Sequence, residues 1–362
     1  PNTLRSFLVC LVSSHNMRDT FDSRFIHLSE ISFKLPIGVP TTYNTLDSGS
    51  SCLGFEDFFI VFIFIMIILP KGIDLNSLLL FLKETGVQSS SLLRKFDNEL
   101  IPLYVSGDNS QSKNIESDLV TSADLTINKL FLDKFSENYP NANWEIITEE
   151  NSKGDSPREF QSNWVWLIDP LDGTKDFIQK TGEYAIHVAL LFKNEPILGM
   201  VLLPGLQEMW FGVKGIGTWQ EKESLKKENK NLETFSKKEG FNLVTSKNHS
   251  NEKLAIILEE LNFLKVTRMG SIGYKICSLL RNEAEVYISI SGKTSPKDWD
   301  IAAPHSLIAY SKCNFTYASG SQINYFSKEY LQTGCLIAST LLEKEHYKLR
   351  EKVNRIIKKY NL

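Results

Sequence analysis

Four separated acidic segments carry the chemical signal in this chain: Asp118-Leu-Val-Thr-Ser-Ala-Asp124, Thr148-Glu149-Glu150, Asp169-Pro-Leu-Asp172-Gly-Thr174 and Trp299-Asp300-Ile-Ala-Ala303. Hard divalent cations such as Mg²⁺ take oxygen ligands in octahedral geometry and keep several waters, so carboxylates converging from distant segments are what such a site needs. Imidazole and thiolate are absent from all four segments. In the third, Pro170 fixes φ and is expected to break the preceding strand, so that Asp169, the Leu171 carbonyl and Asp172 point toward one locus. Gly173 permits the tight turn that follows. Two carboxylates this close at the end of an apolar strand repel each other unless a cation neutralises them, which argues for metal, with two ions able to share Asp169. A helix starting at Gly173-Thr174 would turn backbone N–H groups and the positive end of its dipole toward a phosphate. Taken alone, Asp124 or Glu149 could equally be a helix cap or half of a surface ion pair.

The elements that must carry these groups are readable in outline. Leu75, Leu78, Leu79 and Leu82 have the i, i+3, i+4, i+7 spacing of an amphipathic helix. Asp118 to Phe135 reads as a strand-to-helix entry followed by a helix, which puts Asp124 at a helix start. Trp164 to Ile168 has strand length and is expected to stop at Asp169-Pro170. Alternating strands follow at Ala185–Phe192, Ile197–Leu203 and Met209–Val213, joined by hairpin residues into an antiparallel meander. The glycines of Gly212-Val-Lys-Gly215-Ile-Gly217 read as hairpin punctuation, not as a dinucleotide loop. Gln220 to Gly240 is rich in Lys and Glu and reads as a solvated loop or hairpin near the domain boundary. Beyond it come strand (Leu243–Ser246), helix (Asn251–Leu261), strand (Lys265–Met269), helix (Tyr274–Asn282) and strand (Ala284–Ser289), the alternation of an α/β domain.

Composition narrows the partners. The 362 residues are 42% hydrophobic and 23% charged, enough for about two domains with real cores. Forty Lys plus Arg against 43 Asp plus Glu leave a net charge of −3, which excludes the cationic field of a nucleic-acid-polymer binder and favours a small-molecule partner. The five cysteines are scattered without a C-x-x-C pair, as expected of reduced thiols in a cytoplasmic protein. The apolar run from Phe58 to Leu69 falls short of the roughly 20 residues that span a bilayer, so no stable membrane insertion is expected. Residues 1–65 show neither helical nor strand periodicity and read as a non-native or disordered extension, with Met66 as a natural start; a signal peptide and a membrane-touching arm are the rivals. A Ser/His/Asp hydrolase is disfavoured, because no G-x-S-x-G elbow occurs and neither His187 nor His249 has an evident nucleophile partner; His187 reads as a sheet residue.

The four motifs, in this order, resemble the inositol monophosphatase superfamily of Mg²⁺-dependent, lithium-sensitive phosphomonoesterases over about Pro70 to Ser339. Asp169-Pro-Leu-Asp-Gly-Thr-Lys-Asp-Phe-Ile178, Thr181-Gly-Glu-Tyr-Ala-Ile-His-Val-Ala-Leu190, Pro196-Ile-Leu-Gly199 and Gly270-Ser271 are similar to its 3′(2′),5′-bisphosphate nucleotidase (CysQ-type) branch. The resemblance implies an α+β/α/β fold, a layered α-β-α-β-α sandwich. It implies that Glu149, Asp169 and the Leu171 carbonyl hold one Mg²⁺, that Asp169, Asp172 and Asp300 hold a second, and that a third, weaker ion sits by Glu149. It further implies that Asp124 and Thr174, with Glu149, serve catalysis by orienting and deprotonating water. Lys113, Gly173 and Thr174 would meet the phosphate; Ser246, Lys247, His249, Gly270, Ser271 and Lys275 would meet the sugar and second phosphate.

The implied reaction is release of the 3′-phosphate from 3′-phosphoadenosine 5′-phosphate, clearing a by-product of sulfate assimilation, in a monomer or homodimer. Inositol monophosphatase or fructose-1,6-bisphosphatase activity is the first alternative, and a non-catalytic nucleotide-binding protein the second. There are departures from the branch: Thr148 for Gly or Ser, Lys247 for Arg, Pro304 for Gly, and a Gly270–Lys275 turn one residue longer than in some relatives. Lys and Arg differ in bidentate phosphate recognition, so the second-phosphate contacts are affected most. The expected domains are 66–219 (metal-binding), 220–240 (connecting loop), 241–345 (substrate specificity) and 346–362 (tail).

Overall fold

The computed structural model describes residues 69–105, 112–152, 159–222, 227–228, 240–249 and 251–362, with the backbone alone described for 99–105, 112–121, 227–228 and 328. The expectations for residues 1–65, and most of those for 220–240, lie outside the described residues. The chain opens with two long helices, α1 (Leu75–Val105) and α2 (Ser112–Asn138). The Leu spacing is borne out in α1, where Leu78 and Leu82 are fully buried. Asp124 lies in the interior of α2, not at a helix start, because the apolar stripe Ala123, Ile127, Phe131 and Phe135 is buried as one continuous helical face. Asp124 is buried beside that stripe.

The first sheet has seven strands in sequential order: β1 (Glu145–Thr148), β2 (Trp164–Asp172), β3 (Ala185–Phe192), β4 (Glu195–Leu203), β5 (Glu208–Val213), β6 (Gly217–Lys222) and β7 (Lys227–Glu228). Strands β2 to β7 form the antiparallel meander, while β1 runs parallel to β2. Two short helices interrupt the sequence, α3 (Glu149–Ser152) after β1 and α4 (Thr174–Ile178) after β2. The second sheet has order β11-β12-β10-β8-β9. It is built from β8 (Asn242–Ser246), helix α5 (Glu252–Leu261), β9 (Lys265–Met269), α6 (Ile272–Leu280), β10 (Val286–Ile290), α7 (Asp298–Ala309), β11 (Asn314–Tyr317), β12 (Cys335–Ser339) and α8 (Glu343–Tyr360).

Three apolar cores separate five layers. Helices α1 and α2 pack on one face of the first sheet around Phe81, Phe131, Phe135 and Trp166. Its other face (Val165, Leu167, Ala189, Val201) meets α6, α7 and the second sheet's inner face (Val244, Tyr287, Leu336) in a second core. Leu254 and Ile257 of α5 with Leu349, Val353 and Ile356 of α8 cover the outer face. The result is the expected α-β-α-β-α sandwich. Because β2 is buried on both faces, Trp164 to Ile168 reads as an unbroken apolar run. The middle core draws on both sides of the 220–240 connection. Residues 346–362 form most of α8, not a tail, since His346, Leu349, Val353 and Ile356 repeat at helical spacing and are buried.

Helix α7 lies directly on the first sheet. A Cβ at Gly212 would come within 2.5 Å of the Ser306 carbonyl oxygen, and one at Gly199 within 1.7 Å of Ser306 Oγ. Gly212→Ala therefore forces α7 off the sheet. We expect it to cost about 1–3 kcal/mol in chemical denaturation, and to displace Asp300, which rides on the first turn of that helix.

Candidate metal and phosphate site

Parallel pairing explains how residues 20 apart in sequence meet. Thr148 stands opposite Ile168 in the β1–β2 ladder, so Glu149, just past β1, and Asp169, on β2, come next to each other. The turn at Glu149 is fixed by reciprocal bonds: Thr148 N–H donates to Asn151 Oδ1 at 2.8 Å and Asn151 N–H to Thr148 Oγ1 at 3.1 Å. Strand β2 does not stop at Pro170. It continues to Asp172 through a register shift between Asp169 and Asp172, a bulge that accommodates the proline and re-aims the acids. Leu171 N–H donates to Asp169 Oδ1 at 3.0 Å, and the Thr174 hydroxyl to the Leu171 carbonyl at 3.3 Å. Gly173 caps α4 with φ 89° and ψ 40°, a left-handed conformation that favours glycine.

Asp300 enters from the opposite sheet's side. At the start of α7 its Oδ2 accepts the Lys297 N–H at 2.8 Å, and buried Trp299 anchors the turn. Asp169 is 1% exposed. Burial drives its carboxyl well above the usual range, and the negative fields of Glu149, Asp172, Asp300 and Asp124 drive it further. Asp300 is pushed up to about 8, by burial first and then by Asp172. The structure thus brings Asp124, Glu149, Asp169, Asp172 and Asp300 within one another's fields.

The sequence-predicted groups of the second sheet gather at the same place, again by parallel strand ends. Ser246 stands opposite Met269, and Lys247 N–H donates to the Met269 carbonyl at 2.9 Å, so the residues after β8 and β9 emerge together. Ser246 Oγ accepts the His249 N–H at 3.1 Å, and His249 Nδ1 lies 3.2 Å from Thr294 Oγ1. Burial lowers the His249 pKa, followed by Lys175 and Lys275; Asp172 and Asp176 oppose the shift, which places His249 beside the acidic cluster.

Several of these groups are engaged by protein partners. Lys247 Nζ lies 2.7 Å from Glu183 Oε2 and 3.1 Å from Asp176 Oδ1. Gly270 N–H donates to Glu183 Oε2 at 3.0 Å, and Ser271 Oγ caps α6 by accepting the Tyr274 N–H at 2.9 Å. Lys275 is 1% exposed and its Nζ donates to the Gly270 carbonyl. Burial lowers its pKa to about 8, against the pull of Asp172, Asp176, Glu183 and Asp300. Lys113 lies in the first turn of α2, and its side chain is outside the described residues.

Sequence reasoning had no role for Asp176, Glu183 and Asn248. Asp176 is fully buried and accepts from Lys247, from the Asn248 amide at 2.7 Å and from the Thr181 hydroxyl at 3.0 Å. A charged residue in the first turn after an αL glycine, with a second acid seven residues on, was the available signal.

A profile of the inositol monophosphatase family matches residues 92–361. The chain belongs to the inositol monophosphatase family. As a member it is a phosphatase, a hydrolase of phosphoric esters. It is 29% identical over 213 residues to the 3′(2′),5′-bisphosphate nucleotidase CysQ of Salmonella typhimurium, covering 58% of this chain and 80% of that protein. It is 32% identical over 182 residues to the protein of the same name from Buchnera aphidicola, covering 50% of this chain and 64% of that one. Among solved structures, CysQ from Bacteroides thetaiotaomicron superposes with a TM-score of 0.57 at 20% identity, over 74% of this chain and 98% of its own. An inositol monophosphatase from Anabaena superposes at 0.57 and 18% identity, over 78% and 96%. These likenesses show the fold.

Members of the family generally depend on Mg²⁺, and the donor set of this member fits it. Of the five acidic side chains only Asp172 and Asp300 share the field of the buried Lys275, and burial together with the other four acids holds Asp169 against ionisation unless further cations stand beside it. The donors are all oxygen, the chemistry of a hard divalent ion. Among the described residues, no three acidic, imidazole or thiolate side chains stand close enough together to hold a metal ion as they are placed. No helix among them is long and apolar enough to cross a membrane.

Proposed function

We propose that this family member hydrolyses the 3′-phosphate of 3′-phosphoadenosine 5′-phosphate to AMP and phosphate, in a cytoplasmic setting where sulfate assimilation produces that nucleotide. The observation that carries the reading is the meeting of two sets of strand ends. The carboxylates that follow β1 and that lie on β2 and α7 are beside the polar residues that follow β8 and β9, so a phosphate ester held at the first set presents the rest of the molecule to the second. The names of the relatives at 29% and 32% identity support a bisphosphate nucleotide as that molecule.

In this reading Glu149, Asp169 and the Leu171 carbonyl would hold one Mg²⁺, Asp169, Asp172 and Asp300 would hold a second, and Glu149 would help to hold a third more weakly. The chemistry supplied by bound Mg²⁺ is neutralisation of the ester's oxygens, acidification of water and stabilisation of the departing alkoxide. Thr174 already spends its hydroxyl proton on the Leu171 carbonyl, so its oxygen is left to accept from the attacking water. Asp124, on a helix packed against α4, takes the proton. The Gly173 and Thr174 N–H groups face the phosphate. Water's oxygen bonds to phosphorus as the bond from phosphorus to the ribose 3′-oxygen breaks.

Lys247, held by Asp176 and Glu183, positions the loop after β8, and His249 with Lys175 faces the second phosphate. The test is phosphate release, with and without Mg²⁺, from 3′-phosphoadenosine 5′-phosphate, inositol 1-phosphate and fructose 1,6-bisphosphate in parallel. The expected result is Mg²⁺-dependent release with preference for the nucleotide. Preference for a sugar or inositol phosphate reassigns the groups after β8 and β9, and release from none of them leaves a non-catalytic binding protein.

A further inference from the structure

His187 lies in the middle of β3, where its neighbours Ile186 and Val188 are wholly apolar and buried, and it is itself 0% exposed. Neither ring nitrogen closes a hydrogen bond of ordinary geometry. A buried polar atom left in that state costs about 1–3 kcal/mol, so an imidazole here is a poor choice for packing alone. Val, Leu or Met would fill the same space without that cost.

The surroundings of the ring show what the imidazole faces. His187 stands opposite Asp169 in the β2–β3 ladder, and the bulge between Asp169 and Asp172 brings the second acid back over the ring. Asp172 Oδ2 lies 3.5 Å from His187 Nε2. The same oxygen accepts the Ile272 N–H at 2.6 Å. Helix α6 comes against the ring without a side chain in between: a Cβ at Gly273 would sit 2.2 Å from Nε2. The backbone of Trp299, next to Asp300, borders the ring as well. One buried imidazole therefore touches the bulge that carries Asp172, the start of α6, and the turn that carries Asp300.

We propose that His187 is a positioning residue: Nε2–H faces Asp172 Oδ2 at 3.5 Å and steadies that oxygen electrostatically, beside the hydrogen bond it accepts from the Ile272 N–H, so that the other carboxylate oxygen is left for the divalent cation. The role requires the tautomer protonated at Nε2, the nitrogen that faces the carboxylate oxygen. The proposal rests on the Mg²⁺ reading of the acidic cluster. Partners of this kind fix a ligand's orientation, and their loss weakens metal affinity by about 10–100-fold.

The experiment compares the full-length wild type with His187→Leu, which keeps apolar volume but has no donor, and His187→Gln, whose amide N–H reaches a similar point. Mn²⁺ affinity is read by electron paramagnetic resonance titration and thermal unfolding is followed in chelator. We expect His187→Leu to unfold in chelator at or above the wild-type temperature yet to bind Mn²⁺ about 10–100-fold more weakly. His187→Gln should bind within about threefold of wild type. Equal affinity in wild type and His187→Leu, or equal weakening by Leu and Gln, overturns the proposal. Should the Leu variant fail to fold, His187→Ala takes its place; free imidazole is then expected to restore Mn²⁺ affinity, and failure to do so overturns the proposal. A wild-type chain that binds no Mn²⁺ overturns the metal reading itself, an outcome distinct from both.

Discussion

Asp172→Asn is expected to lower phosphate release by roughly 1,000-fold, a loss of about 4 kcal/mol of transition-state stabilisation, while leaving the fold intact. The change removes a charge but almost no volume. Asp172 Oδ2 accepts the Ile272 N–H at 2.6 Å, a role the amide oxygen of Asn can keep, with its NH₂ turned toward the remaining carboxylates. In the absence of metal the variant should even gain stability, since Asp172 is one of the acids whose field raises Asp169 and Asp300. Melting in chelator at or above the wild-type temperature, with no further rise on adding Mg²⁺, is the expected pair of results. Retained turnover would refute Asp172 as a metal ligand.

Lys275→Met should act the other way, on stability before activity. The ammonium is enclosed at the N-terminal end of α6, donates to the Gly270 carbonyl and lies in the fields of Asp172, Asp176, Glu183 and Asp300. Removing one partner of a buried charge network while the others stay typically costs about 3–5 kcal/mol. Denaturation in chelator should show a loss of that size, and saturating Mg²⁺ should recover a large part of it by restoring positive charge to the cluster. A Lys275 that served only as a substrate contact would instead leave unfolding unchanged and raise KM. The two outcomes separate a counter-charge from a ligand-binding side chain.

The parts of the fold that sequence makes legible are those where one physical pattern acts alone. Leu75, Leu78, Leu79 and Leu82 declare a helix because each buried position obeys one period, and the hairpins between β3 and β5 declare themselves through Pro and Gly. Asp124 was harder. Val120 and Thr121 favour a strand locally, but the buried stripe from Ala123 to Phe135 decides for an unbroken helix. The bulge at Pro170 was hidden because a register shift belongs to the pairing of β2 with β3, not to either strand.

Within the site, the acids could be found from their spacing and types. What held them could not. The ion pairs of Lys247 with Asp176 and Glu183 join residues 71 and 64 positions apart. His187 looks like any sheet residue until Asp172 is seen folded back above it.

The parallel pairing of β1 with β2 has a kinetic consequence. It delivers Glu149 and Asp169 together early along the chain, but Asp300 belongs to a helix that seats itself only against a completed sheet, through Gly199 and Gly212. The cation pocket is thus assembled from contacts of long sequence separation, which pay loop-closure entropy before they reward it and so belong to the slow part of folding. An ion that binds the finished molecule and not the unfolded chain then stabilises it by mass action.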